Sequence, residues 1–168
     1  ETNPQSSMAY SSLGYVYFEL KRYDQAILHF RKAIQLNPNN AGAHNNLGYT
    51  YAELGINLGE AISECRKAIQ LSPRSAAYYD SLGWAYYVAE DYDNAIVYLQ
   101  KALDYAQPHQ KDIITSHLQK AYKKRESSWR GGYGVESFHN VVNRGYFSGR
   151  GFFVWNTTGW GVALYLWW

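Results

Sequence analysis

The stretch "LGYVYFELKRYDQA" at residues 13–26 returns as "LGYTYAELGINLGEA" at 47–61 and "LGWAYYVAEDYDNA" at 82–95. Gly14, Gly48 and Gly83 are 34 and 35 residues apart, each directly after a leucine and three residues before a tyrosine. Downstream the copies stay in step through Ala26, Ala61 and Ala95, then Phe30, Cys65 and Leu99, then Ala33, Ala68 and Ala102. Asn37-Pro38, Ser72-Pro73 and Gln107-Pro108 close the three units. A fixed period of this length decides the architecture before any local propensity does. Within each unit the small residues fall where two antiparallel helices would cross, and large apolar residues recur around them at i, i+3, i+4 and i+7. The pattern predicts a first helix over 7–20, 41–54 and 75–89, and a second over 24–36, 60–71 and 92–105. Proline then stops each unit, because it cannot continue a hydrogen-bonded helix interior.

The pattern resembles the tetratricopeptide repeat: an aromatic residue, Leu-Gly, Tyr, Ala, Phe, Ala and Pro over 34 residues. The resemblance covers 7 to about 108, and "DSLGWAYY" and "GINLGEA" are similar to bacterial members. It implies an all-α, right-handed solenoid of three helix-turn-helix units, 7–40, 41–75 and 76–108, after a short lead-in at 1–6. The second unit departs from the pattern at Gly55-Ile56-Asn57-Leu58-Gly59, one residue longer than its neighbours, where two glycines predict a reshaped turn with positive φ. Such arrays need a capping element with a polar outer side. "HQKDIITSHLQKAYKKRE" at 109–126 supplies it, with Ile113, Ile114, His117, Leu118, Ala121 and Tyr122 in one stripe. The Lys123-Lys124-Arg125 run suits the negative end of that helix.

The chain has 168 residues, 46% hydrophobic and 18% charged, enough to bury a core. A net charge of +2 does not indicate nucleic acid, which calls for a concentrated basic patch. The charge is unevenly spread, with 8 Lys/Arg against 10 Asp/Glu in 7–108 and 5 against 2 in 109–126. Cys65 is the single cysteine, so it leaves the redox compartment open and excludes an intrachain disulfide or a cysteine-based metal cluster. It takes the place held by Phe30 and Leu99, a buried position, and is expected to be an inert small hydrophobe. His29, His44, His109, His117 and His139 lack metal-ligand spacing and are expected to pack or face solvent. No converging acid, base and nucleophile can be found, and the run Gly131-Gly132-Tyr133-Gly134 lacks the Lys-Ser/Thr of a phosphate loop. The expectation is a protein that is not an enzyme and carries no cofactor or metal.

The resemblance implies that function lies on the concave surface lined by the first helix of each unit, where family members hold an extended peptide or partner helix. The candidate groove residues are Tyr15 and Phe18 in the first unit, Asn45, Asn46 and Tyr49 in the second, and Asp80, Trp84 and Tyr87 in the third. Members that bind the C-terminal carboxylate of chaperones use a Lys/Asn/Arg clamp, and here those positions hold Ser11, Tyr15, Asn46, Ala77 and Ser81. Only Asn46 fits. Asp80, Glu19 and Glu53 would also repel an acidic terminus. The expected ligand is therefore a neutral or basic protein segment with apolar anchors for Tyr15, Tyr49 and Trp84. The rival readings are a regulatory or accessory module of a larger enzyme and a membrane-attached assembly factor.

From Trp129 the composition changes. Residues 129–168 hold five of the six tryptophans, eight of the fourteen glycines and only four charged residues. "GFFVWNTTGWGVALYLWW" predicts short strands about Asn156-Thr157-Thr158-Gly159, by its β-branched and aromatic content. Polar residues and glycines at its centre argue against a membrane span. Three readings stay open: a segment that docks on a groove, its own or that of a second copy, which would then self-associate; an interfacial membrane anchor; and an irrelevant, foreign or frameshifted extension.

Overall fold

A computed structural model of the protein describes residues 4–132, 152–155 and 161–164. Three helical hairpins follow one another: α1 (Pro4–Glu19) with α2 (Tyr23–Leu36), α3 (Ala41–Leu54) with α4 (Leu58–Leu71), and α5 (Ala76–Val88) with α6 (Tyr92–Tyr105). A 3-10 turn at Pro108–Gln110 leads into α7 (Lys111–Gly132). The capping helix thus runs on past the expected end at Glu126, because 127–132 contains no helix breaker before its two glycines. Each hairpin packs internally, α2 packs on α3 and α4 on α5, and the first helices of successive units meet as α1–α3 and α3–α5. That sequence of contacts is an α-solenoid.

The two helices of a unit differ in how they are buried. In α3, eight residues are buried, whereas α4 buries only Ala61, Cys65 and Ala68. The inner helix is wrapped by its own partner, the preceding unit and the following unit; the outer helix keeps one face in water. Asn40 caps α3 by accepting from the Ala43 amide at 3.0 Å, and its amide donates to Ser7 Oγ at 2.9 Å, tying the second unit to the first. Asp91 caps α6 by accepting from the Asn94 amide.

The turn between the two helices uses one left-handed residue in all three units: Lys21 at φ 57°, Gly55 at φ 66° and Glu90 at φ 61°. Only the second unit supplies the glycine that this conformation favours. Its extra residue is absorbed by Asn57, also left-handed at φ 48°, while Gly59 lies inside α4 with no positive φ. The expectation of two positive-φ glycines is therefore corrected to one glycine and one asparagine, since Asn tolerates this region nearly as well.

Residues 130–168 form a second unit. Within it β1 (Phe152–Trp155) pairs antiparallel with β2 (Gly161–Leu164), Phe152 opposite Leu164 and Trp155 opposite Gly161. The turn expected at Asn156–Gly159 lies outside the described residues, as does His139. Among the described residues no helix is long and apolar enough to cross a membrane.

Candidate functional site

The face shared by α1, α3, α5 and α7 is built from one repeating frame. α7 lies against the third unit as a fourth inner helix: Ile114 and Ala121 are buried, with Leu118 and Tyr122 packed beside them in the cluster centred on α5 and α6. In that frame Lys120 succeeds Tyr15, Tyr49 and Trp84, and His117 succeeds Asn46 and Ser81.

The eight expected groove residues fall into three neighbourhoods. At the α1–α3 end Tyr15 is 52% exposed, and the Glu19 carboxylate bonded to its hydroxyl raises its pKa. Phe18 lies against Tyr49 with ring centroids 5.7 Å apart and against Tyr23 at 5.6 Å. Tyr49 is half-buried; burial, and then the Glu53 carboxylate beside its hydroxyl, hold its phenol well above the usual range, with Asp80 adding to the effect. In the middle, Asn45 is buried and donates weakly to Asn46 Oδ1 at 3.4 Å, while its own Oδ1 has no partner.

The α5–α7 end is already occupied by the protein itself. Trp84 stacks on Tyr87 at 4.9 Å and on His117 at 4.6 Å, with Lys120 Nζ 5.2 Å from its ring. His117 Nδ1 donates to Asp80 Oδ1 at 2.9 Å. Trp84 is thus sandwiched, and its indole N–H is buried with no acceptor. This was not visible in the sequence, because His117 and Lys120 lie more than thirty residues away on a helix outside the repeat. Trp84 and Asp80 bind α7 through His117, whereas Tyr15 is exposed and Phe18 and Tyr49 are partly exposed.

Charge is segregated along this face. Glu19 and Glu53 stand exposed at the α1–α3 end. Lys120, Lys123 and Lys124, all exposed, follow His117 at helical spacing on α7. Arg125 belongs to another surface, where it pairs with Asp93 at 3.5 Å and covers the Tyr122 ring.

The histidines and the cysteine divide by environment. His44 takes the slot held by Tyr10 and Tyr79 in the other units, and it meets Glu64 where those tyrosines meet His29 and Tyr98. Its Nδ1 faces the Glu64 carboxylate, and its Nε2 donates to the Pro38 carbonyl at 2.9 Å. His29 stacks on Tyr17 at 5.1 Å, and His109 is exposed. Cys65 is fully buried, which pushes its thiol up to about 12 and leaves it unreactive as a nucleophile. Among the described residues no group of His, Cys, Asp and Glu is placed to hold a metal.

The chain belongs to the tetratricopeptide repeat family. A family model described as TPR repeat matches residues 3–55, and one described as Tetratricopeptide repeat matches 41–75 and 76–109. No curated protein matches the sequence. Solved structures share the fold. The Sgt2 TPR domain from Aspergillus fumigatus is 22% identical with a TM-score of 0.69, the match covering 78% of this chain and 86% of that one. The first TPR of Spaghetti (RPAP3), bound to the HSP90 peptide SRMEEVD, is 22% identical with a TM-score of 0.65, covering 73% and 94%. The TPR2B domain of yeast Sti1, in its pHsp70 complex, is 22% identical with a TM-score of 0.66, covering 71% and 98%.

Proposed function

We propose that this protein is a non-enzymatic interaction module that holds an extended segment of a partner protein along the face of α1, α3, α5 and α7. The family membership and the peptide complexes of its structural neighbours support the module; the groove chemistry supports the kind of segment. The neighbours' peptides, SRMEEVD among them, are acidic at the C-terminus. This groove keeps only Asn46 of the clamp positions and places Glu19 and Glu53 beside Tyr15 and Tyr49. The observation that carries the reading is that segregation: carboxylates and free aromatic rings at one end, Lys120, Lys123 and Lys124 at the other. The favoured ligand has an apolar anchor flanked by neutral or basic residues for the α1–α3 end, and any acidic residues lie toward α7. Self-association through 129–168 is a second part of this reading, resting on twelve aromatic residues in forty with four charges.

Selection from a random peptide library, followed by fluorescence polarisation on the full chain, tests the first part. Enriched peptides should carry internal apolar anchors, bind independently of a free C-terminus, and lose about 1–2 kcal/mol of affinity on Tyr15→Ala or Tyr49→Ala. SRMEEVD should bind poorly. If selected peptides all required an acidic free C-terminus and tolerated both alanine variants, the reading would be wrong.

A further inference from the structure

Four residues of α7 fall on one stripe at i, i+4, i+7 and i+11: Ile113, His117, Lys120 and Lys124. The contacts of His117 and Lys120 turn that stripe toward α5, and both side chains are set in place by the protein itself. The Trp84 indole stacks on the imidazole with ring centroids 4.6 Å apart and carries the Lys120 ammonium 5.2 Å from its own ring. His117 Nδ1 is held by Asp80 Oδ1 at 2.9 Å. The two side chains are only 13% and 15% exposed, so the imidazole cannot turn without breaking a sheltered bond. That leaves Nε2 as the nitrogen with no partner among the described residues.

The positive charge of this stripe is not neutralised. Among the described residues Arg31 and Arg125 each have a carboxylate partner, whereas Lys120, Lys123 and Lys124 are exposed and have none. The acids of α7, Asp112 and Glu126, lie off the stripe, five residues before His117 and nine after it. Asp80 is the carboxylate that touches the stripe, and it is engaged by the imidazole. A charged imidazole donates through both nitrogens, so His117 can join Asp80 on one side to an anion on the other. Three ammonium groups and one ring N–H within two helical turns exceed what a single carboxylate balances. A phosphate ester brings close to two negative charges and three acceptor oxygens.

We propose that His117, Lys120 and Lys124, with Lys123 beside them, form an oxyanion site that takes a phosphorylated serine or threonine of the partner segment, so that phosphorylation of the partner strengthens its capture. This rests on the groove reading given above and adds to it the place and the chemistry of a switch. Ile113, 61% exposed one turn before His117, meets an apolar residue beside the phosphate. Neighbouring inner helices pack about 10 Å apart, so the site stands about 20 Å from Tyr49, two helices away. An extended segment rises about 3.3 Å per residue, which puts the phosphorylated residue about six residues from the anchor that Tyr49 receives.

Fluorescence polarisation on the full chain at about 0.15 M salt tests this with three capped peptide pools, Leu-X5-Z-X5-Leu, in which X is a mixture of neutral polar residues and Z is phosphothreonine, threonine or glutamate. The phosphothreonine pool should bind about tenfold tighter than the threonine pool, with the glutamate pool between them. Lys120→Gln with Lys124→Gln should remove most of that preference; both side chains are exposed, so the thermal midpoint should change little. Lys32→Gln with Lys67→Gln, an equal loss of charge on α2 and α4, should leave the preference intact. Equal binding of the three pools, a glutamate pool as tight as the phosphothreonine pool, a preference that survives the α7 pair, or one that falls equally with the α2 and α4 pair would overturn the proposal. The groove reading is tested apart from it, because Tyr15→Ala and Tyr49→Ala should weaken all three pools alike. A phosphothreonine preference that persisted while both variants left every pool unchanged would count against the groove and not against the phosphate site.

Discussion

Replacing Gly48 by alanine tests the packing on which the solenoid rests. A Cβ built there would stand 2.6 Å from Cys65 Sγ, 2.7 Å from the Ala61 carbonyl oxygen and 3.1 Å from the Cys65 nitrogen. The equivalent atom at Gly83 would meet Leu99 Cγ at 2.6 Å and the Ala95 carbonyl only at 3.2 Å, and at Gly14 the three nearest atoms all belong to the Phe30 ring. The smaller the opposing residue, the nearer the backbones approach: phenylalanine holds α2 off α1, leucine admits α6 closer to α5, and cysteine lets α4 approach α3 most closely. A clash with a side chain is relieved by a rotamer shift, but a clash with a carbonyl requires the helices to move apart along the crossing. Gly→Ala in a helix interior gains about 1 kcal/mol of propensity, and overpacking costs about 1–3 kcal/mol or more. The net loss should be about 1 kcal/mol or less for Gly14→Ala and Gly83→Ala and about 2 kcal/mol or more for Gly48→Ala, a large part of the stability of a domain this size. Urea denaturation with linear extrapolation measures the ranking. Leu99→Ala should partly rescue Gly83→Ala, whereas Cys65→Ala should rescue Gly48→Ala poorly, because the Ala61 carbonyl remains. A Gly48→Ala protein as stable as the parent, or less damaged than Gly83→Ala, would refute the reasoning.

Other outcomes follow from the same structure. Lys21→Gly and Glu90→Gly should each stabilise the protein by about 0.5–1 kcal/mol, and Gly55→Ala should destabilise it by a similar amount, because all three occupy the left-handed turn position; thermal midpoints check this. Cys65 binds its proton more tightly folded than unfolded, so its contribution is whole below pH 9 and is lost as pH rises from 9 toward about 12. Stability should therefore fall by about 1.4 kcal/mol per pH unit above pH 9 on this account, with a shallower slope in Cys65→Ala, and a thiol reagent at neutral pH should label Cys65 only as fast as the protein opens. Trp84→Ala should lower stability by about 2 kcal/mol and speed amide exchange in α7, since it removes the platform under His117 and Lys120; Tyr15→Ala should do neither. Light scattering over a dilution series should show the full chain associating and a chain ending at Ser128 staying monomeric, and equal behaviour of the two would remove 129–168 as the cause.

Periodicity alone determined the units, the helix pairs and the inert place of Cys65, because a residue spacing kept through three copies reports a geometry that every copy must satisfy. The candidate groove came from the resemblance to the tetratricopeptide family, which implies that chosen positions of each inner helix line the concave surface. Tertiary structure decided what the frame could not express. Trp84 reads as a free rung beside Tyr15 and Tyr49, yet it is closed between Tyr87 and His117, because α7 completes the frame without its sequence signature. Leu13 shares its repeat position with Leu47 and Leu82 but is exposed where they are buried, because burial at that position depends on a neighbouring helix and not on the residue itself. The helix-pair spacing at Gly48 depends likewise on what stands opposite it. Sequence fixes what each position repeats; contact between units decides which of the repeated surfaces is left for a partner.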